Sequence, residues 1–346
     1  MAKRKRLFIS ICCTCQYRCE FCIYVRTERH VGLTVQEWGE LLVVARENGF
    51  EVLEIGGRGE PTLSPDFFAI VVKARALGYV IEVLSNAQNP DVLLNILPMI
   101  SKLTINLNST CEDGFQQIHR PKKRISFNQC QKNIGLVLAG ISKLKSHIDI
   151  FINFVVYRDS LQESLTFPLE INKLFSSYLN PEKLIFVYYQ HKQGYEQPEH
   201  GDGLNLQETI KYLSLWETLG REDFFRKHTN MLMFIEKTRR MLDRLSRTPA
   251  ISREKYACDI YRFVRFVDSN GDIFACYNPF RVIHGLNKDS DPYYCGNMHT
   301  HGLGKIFHAL WQPQGAFDLS GRFWSPCLFC APHPVAIKSL LRHPIC

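Results

Sequence analysis

The chain has no long hydrophobic run near its N-terminus, little excess charge and no metal-ligand pattern among its histidines. The apolar stretch at residues 7–13 is short, contains a serine and runs into polar residues. It is therefore neither a signal peptide nor a membrane anchor. The chain has 42 Lys and Arg against 34 Asp and Glu, and this net charge of +8 over 346 residues does not require a nucleic-acid partner. The 12 histidines form no HxxxH or HExxH pattern, so we expect most of them at the surface.

Cysteine, by contrast, is abundant. The chain has 13 cysteines, an odd number, and no signal for export. Grouped cysteines in a reducing compartment more often hold metal than form disulfides. The composition therefore predicts a cytoplasmic, metal-binding protein with no membrane partner.

Short apolar runs alternate with longer amphipathic stretches over the first half of the chain, which is typical of parallel strands joined by crossover helices. The predicted strands are residues 7–12, 52–56, 80–84, 102–108, 148–156 and 184–189. The predicted helices are residues 34–48, 64–77, 90–97, 126–144 and 161–179. Six such repeats predict an α/β fold, an open partial barrel with ligands at the carboxyl ends of the strands.

The composition changes twice along the chain, which predicts three units. Residues 1–189 form the α/β core, and residues 190–255 form a helical insertion or linker. Within this insertion, residues 221–255 hold ten Lys or Arg against five Asp or Glu, which is typical of a solvated helix face. Residues 256–346 contain short β-like segments, glycine turns and several cysteines, and form a small second domain.

Three cysteines follow the first predicted strand at tight spacing. Cys15, Cys19 and Cys22 form a CxxxCxxC pattern that chance would place about 0.02 times in a chain of this composition. Thiolates are the ligands of iron-sulfur clusters, and a four-iron cluster ordinarily takes four of them. Three ligands leave one iron open, and an incomplete ligand set marks a place for substrate or cofactor.

The pattern, with aromatic Phe21 just before the last cysteine, resembles the signature loop of radical S-adenosylmethionine (radical SAM) enzymes. The resemblance implies a [4Fe-4S] cluster that chelates S-adenosylmethionine, with reductive cleavage to a 5′-deoxyadenosyl radical that abstracts a substrate hydrogen. It also implies a partial (β/α)6 radical SAM barrel followed by a small α+β iron-sulfur domain. The alternative is a structural zinc site with Cys12 or Cys13 as fourth ligand, although both more simply end the strand as small buried residues.

A glycine-rich turn, GGRGEPTL, follows the second predicted strand. Taken alone, it is an ordinary tight connection whose glycines supply positive φ angles. Its position resembles the radical SAM motif that meets the methionyl amino group, which implies that Gly57, Gly59 and Glu60 contact the cofactor. Arg58 interrupts the commonest Gly-Gly-Glu spelling of that motif.

Polar residues also end the third and fourth predicted strands. Asn86, Asn106 and Asn108 lie at these ends, and Arg120 follows in an HRP sequence. Ordinary loop entry explains such residues equally well. The resemblance implies that they contact the ribose and carboxylate of the cofactor.

A second cysteine set lies near the C-terminus. Cys258, Cys276, Cys327 and Cys330 form the pattern C-x12-G-x4-C, a gap and CxxC. It resembles the auxiliary-cluster domains called SPASM and twitch, and the shorter twitch version fits better because position 336 is alanine. The resemblance implies a second, auxiliary iron-sulfur cluster on these four thiolates, a [4Fe-4S] cluster that conducts electrons or staples the domain. A zinc ribbon on the same residues is the alternative.

Three other cysteines are interpreted as buried filler, namely Cys295, Cys111 and Cys130. Cys295 has a second interpretation, as a thiol that returns a hydrogen atom to a substrate radical.

The sequence thus predicts a radical SAM enzyme that modifies a small molecule, for example by oxidising or epimerising a sugar. Because the cluster loop begins at residue 15, we expect no N-terminal domain that grips a peptide leader, which favours a small molecule or a peptide delivered by a separate protein. A peptide-modifying maturase that makes crosslinks or epimerised residues is the alternative. The resemblance implies an electron donor such as flavodoxin or ferredoxin. A hypothesis from another class is a non-catalytic zinc protein that binds nucleic acid through residues 221–255.

Overall fold

A computed structural model describes most of the chain. The described ranges are residues 4–22, 32–122, 125–144, 147–157, 160–179, 185–191, 206–246, 264–275 and 294–307. Strands and helices alternate through the first half of these ranges, so the predicted α/β class is confirmed.

Six parallel strands form the centre of the fold, and each overlaps a predicted strand. They are β1 (Lys5–Ile9), β2 (Phe50–Ile55), β3 (Val80–Ser85), β4 (Lys102–Asn106), β5 (Asp149–Val156) and β6 (Phe186–His191). Their order in the sheet is β6-β5-β4-β3-β2-β1, and every neighbouring pair is parallel. Parallel strands in sequential order bring all their carboxyl ends to one edge, which is the partial-barrel arrangement that the sequence predicts.

The connecting helices also match the predicted positions. They are α1 (Val35–Glu47), α2 (Phe67–Ala76), α3 (Pro90–Ile96), α5 (Phe127–Lys143) and α6 (Glu163–Phe175). Thr34 caps α1 together with Glu37 in the reciprocal arrangement that their spacing indicates. One helix was missed, α4 (Glu112–His119), because it is only eight residues long and Gly114 weakens its helical pattern.

Three further helices occupy the segment predicted as a helical insertion. They are α7 (Leu206–Leu219), α8 (Asp223–His228) and α9 (Met231–Ser246). Trp216 of α7 is fully buried and donates its indole N–H to the Ser164 hydroxyl on α6 at 2.8 Å. On α8, Arg226 and Lys227 are exposed and pair with Asp223 at 2.8 and 2.7 Å. These helices therefore pack on the core and present a solvated charged face.

The C-terminal strands extend the same sheet. β7 (Val264–Val267) pairs with β1 in parallel, and β8 (Asp272–Phe274) and β9 (Tyr294–Asn297) follow as antiparallel strands. Two short helices come next, α10 (Met298–His301) and α11 (Leu303–Phe307). The described residues thus contain a nine-stranded sheet in which β1 lies inside rather than at an edge.

The main core lies between this sheet and the helices, and it includes the end of β1. Cys12 and Cys13 are 3% and 6% exposed, so they are buried as expected, although β1 ends at Ile9 and both lie just beyond it. None of the described helices is both long and apolar enough to cross a membrane.

Candidate functional site

A loop that carries Cys15, Cys19 and Cys22 leaves β1 at the carboxyl edge of the sheet. It begins where the Ser10 N–H donates to the carbonyl of Val267 on β7 at 2.9 Å. The Cys22 N–H donates to the Cys19 carbonyl at 3.0 Å, which places the last two cysteines on one turn. All three thiols are partly exposed. We call residues 10–22 the cysteine loop.

The turn after β2 packs directly against the cysteine loop. At Gly59, an added Cβ atom would overlap the carbonyl oxygens of Thr14 and Cys12, so the close approach requires glycine. The next residue, Glu60, donates its N–H to the Thr14 carbonyl at 2.8 Å. Gly57 has a φ of +110°, a value that side-chain-bearing residues rarely adopt. An added Cβ atom at Gly57 would lie 2.8 Å from the Cβ of Ser10. All three predicted residues of this turn thus pack against the cysteine loop.

The Glu60 side chain faces inward rather than towards solvent. Its carboxylate is 2% exposed and accepts hydrogen bonds from the Thr62 hydroxyl, the Ser85 hydroxyl and the Asn86 N–H, each at 2.7 Å. The Thr62 N–H is a fourth donor at 3.2 Å. Burial raises the pKa of Glu60, while these hydrogen bonds oppose the rise. The carboxylate therefore fastens the turn after β2 to the end of β3.

Asn86 extends this connection to a thiol. It is 5% exposed, and its side-chain amide donates to the Cys15 Sγ at 3.6 Å and to the Gln16 Oε1 at 3.0 Å. The structure therefore brings one predicted residue, Asn86, into contact with a predicted ligand, Cys15.

The two asparagines at the end of β4 make different contacts. Asn106 accepts a hydrogen bond from Asn153 on β5 at 2.9 Å. Asn108 is fully buried, and its side chain donates to the Val155 carbonyl at 2.7 Å and accepts from the Val155 N–H at 3.3 Å. In their described side-chain contacts both residues join β4 to β5.

The other side of the cysteine loop is bound by the end of α4 and the residues that follow it. Four backbone hydrogen bonds join the two segments at 2.8 to 3.2 Å. They run from Arg18 N to the His119 and Arg120 oxygens, from Glu20 N to the Ile118 oxygen and from Lys122 N to the Gln16 oxygen. The predicted residue Arg120 ends α4 in a left-handed conformation with φ of +44°, and its guanidinium pairs with Glu20 at 3.1 Å. These contacts fix the outer half of the loop.

A histidine that the sequence analysis did not single out lies behind the middle cysteine. His119 is 0% exposed, contrary to the surface position expected for most histidines. Its Nδ1 lies 3.3 Å from the Cys19 Sγ, and its Nε2 accepts a hydrogen bond from the Asn108 N–H at 3.0 Å. Burial lowers the pKa of His119 to about 3. The ring of Phe21 lies 5.9 Å from the imidazole.

One sequence signal for His119 was available. The segment EDGFQQIH places Phe115, Ile118 and His119 on the same helix face, and two of these three residues are apolar. A histidine in phase with buried apolar residues is more often interior than exposed.

The fit of a thiolate-bound cluster depends on donor type and spacing. Three partly exposed cysteines on one loop supply the thiolate ligands that an iron-sulfur cluster takes. Within the described ranges, however, no three His, Cys, Asp or Glu side chains are arranged so that they could hold a metal ion together. The three cysteines therefore have the ligand type that an iron-sulfur cluster requires, but the described side chains are not arranged around a single metal ion.

The other predicted cysteines divide into described and undescribed residues. Cys258, Cys276, Cys327 and Cys330, the four predicted ligands of the auxiliary cluster, fall outside the described residues. Cys130 is buried as predicted, whereas Cys111 is exposed because it immediately precedes α4 at the surface, so its assignment as buried filler was wrong. Cys295 is only partly buried and lies on β9, which β7 and β8 separate from β1.

Comparison with known proteins identifies the class of this domain. Residues 9–162 match the family model described as the radical SAM superfamily, so the chain contains a radical SAM domain. This range includes the cysteine loop, the turn after β2 and His119. No curated protein matches the sequence.

Solved structures share the fold at low sequence identity. Streptococcus suis SuiB bound to S-adenosylmethionine has 16% identity and a TM-score of 0.60, covering 95% of this chain and 69% of that one. SuiB bound to precursor peptide SuiA has 15% sequence identity and a TM-score of 0.62, and the match covers 92% of this chain and 67% of SuiB. Native anSMEcpe with bound AdoMet and Cp18Cys peptide has 16% sequence identity and a TM-score of 0.59, and the match covers 88% of this chain and 80% of anSMEcpe. The likeness at these identities establishes the fold.

Proposed function

We propose that the chain is a radical SAM enzyme whose primary [4Fe-4S] cluster is held by Cys15, Cys19 and Cys22. One observation carries this proposal. The loop with the three thiols is held at the carboxyl edge of a parallel sheet by Gly59 and Asn86, within the range that matches the radical SAM family model. This edge is where ligands bind in such sheets.

When bound, a reduced cluster and S-adenosylmethionine together supply a 5′-deoxyadenosyl radical that abstracts a substrate hydrogen. The chain's own residues hold the site in shape. Gly59 permits the close approach of two loops, and the buried Glu60 carboxylate fixes the turn beside them. We assign cofactor contacts to Gly57, Gly59, Glu60 and Asn86, which lie on the turn after β2 and at the end of β3 beside the cysteine loop.

Three of the remaining predicted cofactor residues lie around the helix end that binds the cysteine loop, and the fourth joins two strands. Asn108 holds the His119 ring through its N–H, Phe21 packs against that ring, and Arg120 pairs with Glu20 on the loop. Asn106 joins β4 to β5 beneath them. We propose that these four residues position the site in addition to any contact with the ribose or carboxylate of the cofactor.

Two substrate classes fit the proposed chemistry. The first is a small molecule, for example a sugar. A peptide is favoured by two structural neighbours, SuiB with a precursor peptide and anSMEcpe with a bound peptide. The gene neighbourhood separates the two classes, since a small precursor-peptide gene indicates the second and genes for sugar-nucleotide enzymes indicate the first.

The cluster also needs an external electron. Arg18, Arg120 and Lys122 line a cleft beside the cysteine loop. Flavodoxins and ferredoxins are acidic, and complementary charge accelerates the encounter of such partners. We propose that a donor of this type docks at this cleft.

The central test uses protein purified and reconstituted without oxygen. About eight irons per chain are expected if the primary cluster and an auxiliary cluster on Cys258, Cys276, Cys327 and Cys330 each contain four. With a strong reductant, the protein should convert S-adenosylmethionine to 5′-deoxyadenosine.

The decisive variant replaces Cys15, Cys19 and Cys22 by alanine. We expect it to lose about half of the iron and all 5′-deoxyadenosine formation. Cys111→Ala, which removes an exposed thiol outside the loop, is the matched control and should change neither. A colourless wild-type protein with stoichiometric zinc, or a triple variant that keeps its iron and activity, would refute the proposal.

A further inference from the structure

His119 occupies a fixed position between the cysteine loop and the end of β4. It is the last residue of α4, and its side chain is fully buried. The rings of Phe115 and Tyr17 lie 5.2 and 5.3 Å from the imidazole, and Phe21 lies on the loop side at 5.9 Å. Aromatic neighbours at these separations leave the imidazole little room to turn.

The hydrogen bonds of this ring determine which nitrogen carries the proton. A backbone N–H can only donate, so the 3.0 Å contact from Asn108 requires a lone pair on the His119 Nε2. A ring with a lone pair on Nε2 carries its hydrogen on Nδ1. That hydrogen faces the Cys19 Sγ, 3.3 Å from Nδ1. Sulfur is therefore the acceptor in this contact.

We propose that His119 is a positioning residue for the cluster, because it donates its Nδ1–H to the Cys19 sulfur and thereby raises the reduction potential of the cluster. This inference rests on the proposed function, since it requires the cluster to be bound through Cys19. Asn108 completes the arrangement by holding the ring in the tautomer that donates.

The hydrogen bond raises the reduction potential, rather than lowering it, because of the charge of the reduced cluster. Reduction adds one negative charge to the cluster and its thiolates, and a hydrogen bond to a sulfur stabilises the more negative state. The effect is strong at this position because the ring is shielded from water and the local dielectric is low. Metal ligands are commonly oriented by partners of this type, which are not ligands themselves.

Two replacements of His119 separate the two ring nitrogens. An asparagine side chain places its amide nitrogen near the position of Nδ1, so His119→Asn keeps a donor for Cys19 and loses the acceptor for Asn108. A glutamine oxygen reaches the position of Nε2, so His119→Gln keeps that acceptor and loses the donor. Each variant lacks one buried hydrogen bond, and we expect similar losses of stability.

The measurement is a redox titration of the reconstituted holoenzyme followed by electron paramagnetic resonance. In His119→Gln, the ratio of reduced to oxidised cluster at a fixed applied potential should fall about threefold to tenfold, the factor that one ordinary hydrogen bond represents. A tenfold change corresponds to a shift of 59 mV for a one-electron couple. His119→Asn and the control His228→Gln, on α8, should titrate like the wild type.

A second measurement uses only the wild type and does not depend on how the variants fold. In protein labelled with ¹⁵N-histidine, pulsed paramagnetic resonance of the reduced cluster should detect a weak coupling to one histidine nitrogen. Equal potentials for the Asn and Gln variants, or no histidine coupling in the wild type, would overturn the role of His119. A wild type without iron would instead refute the proposed function.

Discussion

The cysteine loop is held from two sides, and the two sides differ in kind. Residues 57–60 together with Asn86 form one side, here called the strand flank. Residues 118–122 form the other, here called the helix flank. The strand flank makes close backbone contact at Gly59 and sends the Asn86 amide to Cys15. The helix flank binds the loop through backbone hydrogen bonds and sends the His119 ring to Cys19.

Each flank therefore supplies a side-chain contact to one thiol, and the two flanks are anchored differently. The helix flank is anchored through the His119 ring, which accepts from the Asn108 N–H, whereas the strand flank is anchored by an ion pair. Arg58 pairs with Asp268, at the end of β7, at 2.7 Å, and the two side chains are 17% and 1% exposed. The corresponding pair on the helix flank, Arg120 with Glu20, has an arginine that is 54% exposed. Arg58, the residue that interrupts the common Gly-Gly-Glu motif, thus links the turn after β2 to the C-terminal strands through its ion pair with Asp268.

The two ion pairs give the largest expected difference between the flanks. Arg58→Met leaves the buried Asp268 carboxylate without its cation and should lower the free energy of unfolding by about 3–5 kcal/mol. The matched change on the helix flank, Arg120→Met, removes an exposed pair and should lower it by about 0–1 kcal/mol. Urea denaturation of both variants at neutral pH measures the difference.

The effect of Arg58→Met should also depend on pH. Burial raises the pKa of Asp268, and Arg58 opposes the rise. The charged carboxylate is therefore costly to bury above the folded-state pKa, and this cost disappears as falling pH protonates it. The destabilisation should shrink on acidification. Equal effects of Arg58→Met and Arg120→Met at neutral pH would show that the strand flank is no better anchored than the helix flank.

Gly59 tests the close contact of the strand flank itself. In Gly59→Ala, the new methyl group overlaps two carbonyl oxygens of the cysteine loop, and either the loop or the turn must move. We expect a loss of about 1–3 kcal/mol in stability and a several-fold loss of primary-cluster iron after reconstitution.

A matched glycine is available as the control for this change. Gly39 lies within α1, and its added methyl group would come no closer than 3.7 Å to the Lys73 side chain. Gly39→Ala should be neutral or stabilising by about 0.5–1 kcal/mol and should keep its iron. Normal iron content in Gly59→Ala would mean that the contact at Gly59 does not shape the cluster site.

The two flanks also show how far the sequence predicts this site. The strand flank was predicted because its residues form a local motif, GGRGEP, directly after a strand. Of the helix flank, the sequence singled out Arg120 but not His119, since the other contacts are backbone hydrogen bonds and a histidine separated from Cys19 by 100 residues. Asn108 shows a further limit. A polar residue at a strand end is predicted to meet the cofactor, its described side-chain contacts join β4 to β5, and nothing local in the sequence distinguishes these two roles.

The fold as a whole likewise has a part that the sequence predicts and a part that it does not. The six parallel strands and five of their helices follow from periodicity, because each element buries one face. The pairing of β7 with β1 is a contact between residues about 260 positions apart. No local pattern encodes which edge of the sheet a distant strand joins, so the continuation of the sheet became visible only in the structure.

The smallest expected effect concerns a feature outside both flanks and separates stability from site geometry. Thr34 and Glu37 cap α1, and hydrogen bonds from the Thr34 backbone N–H and hydroxyl lower the pKa of Glu37. Thr34→Ala should lower the free energy of unfolding by about 1 kcal/mol at neutral pH. This loss of stability should become smaller as acid protonates Glu37, because a carboxylate with a lowered pKa contributes stability only above that pKa.

Because the cap of α1 touches neither flank, the iron content of Thr34→Ala should remain that of the wild type. If Thr34→Ala loses iron in proportion to its stability, the losses in the Gly59 variant reflect general destabilisation, and the distinction between the two flanks has no bearing on cluster binding.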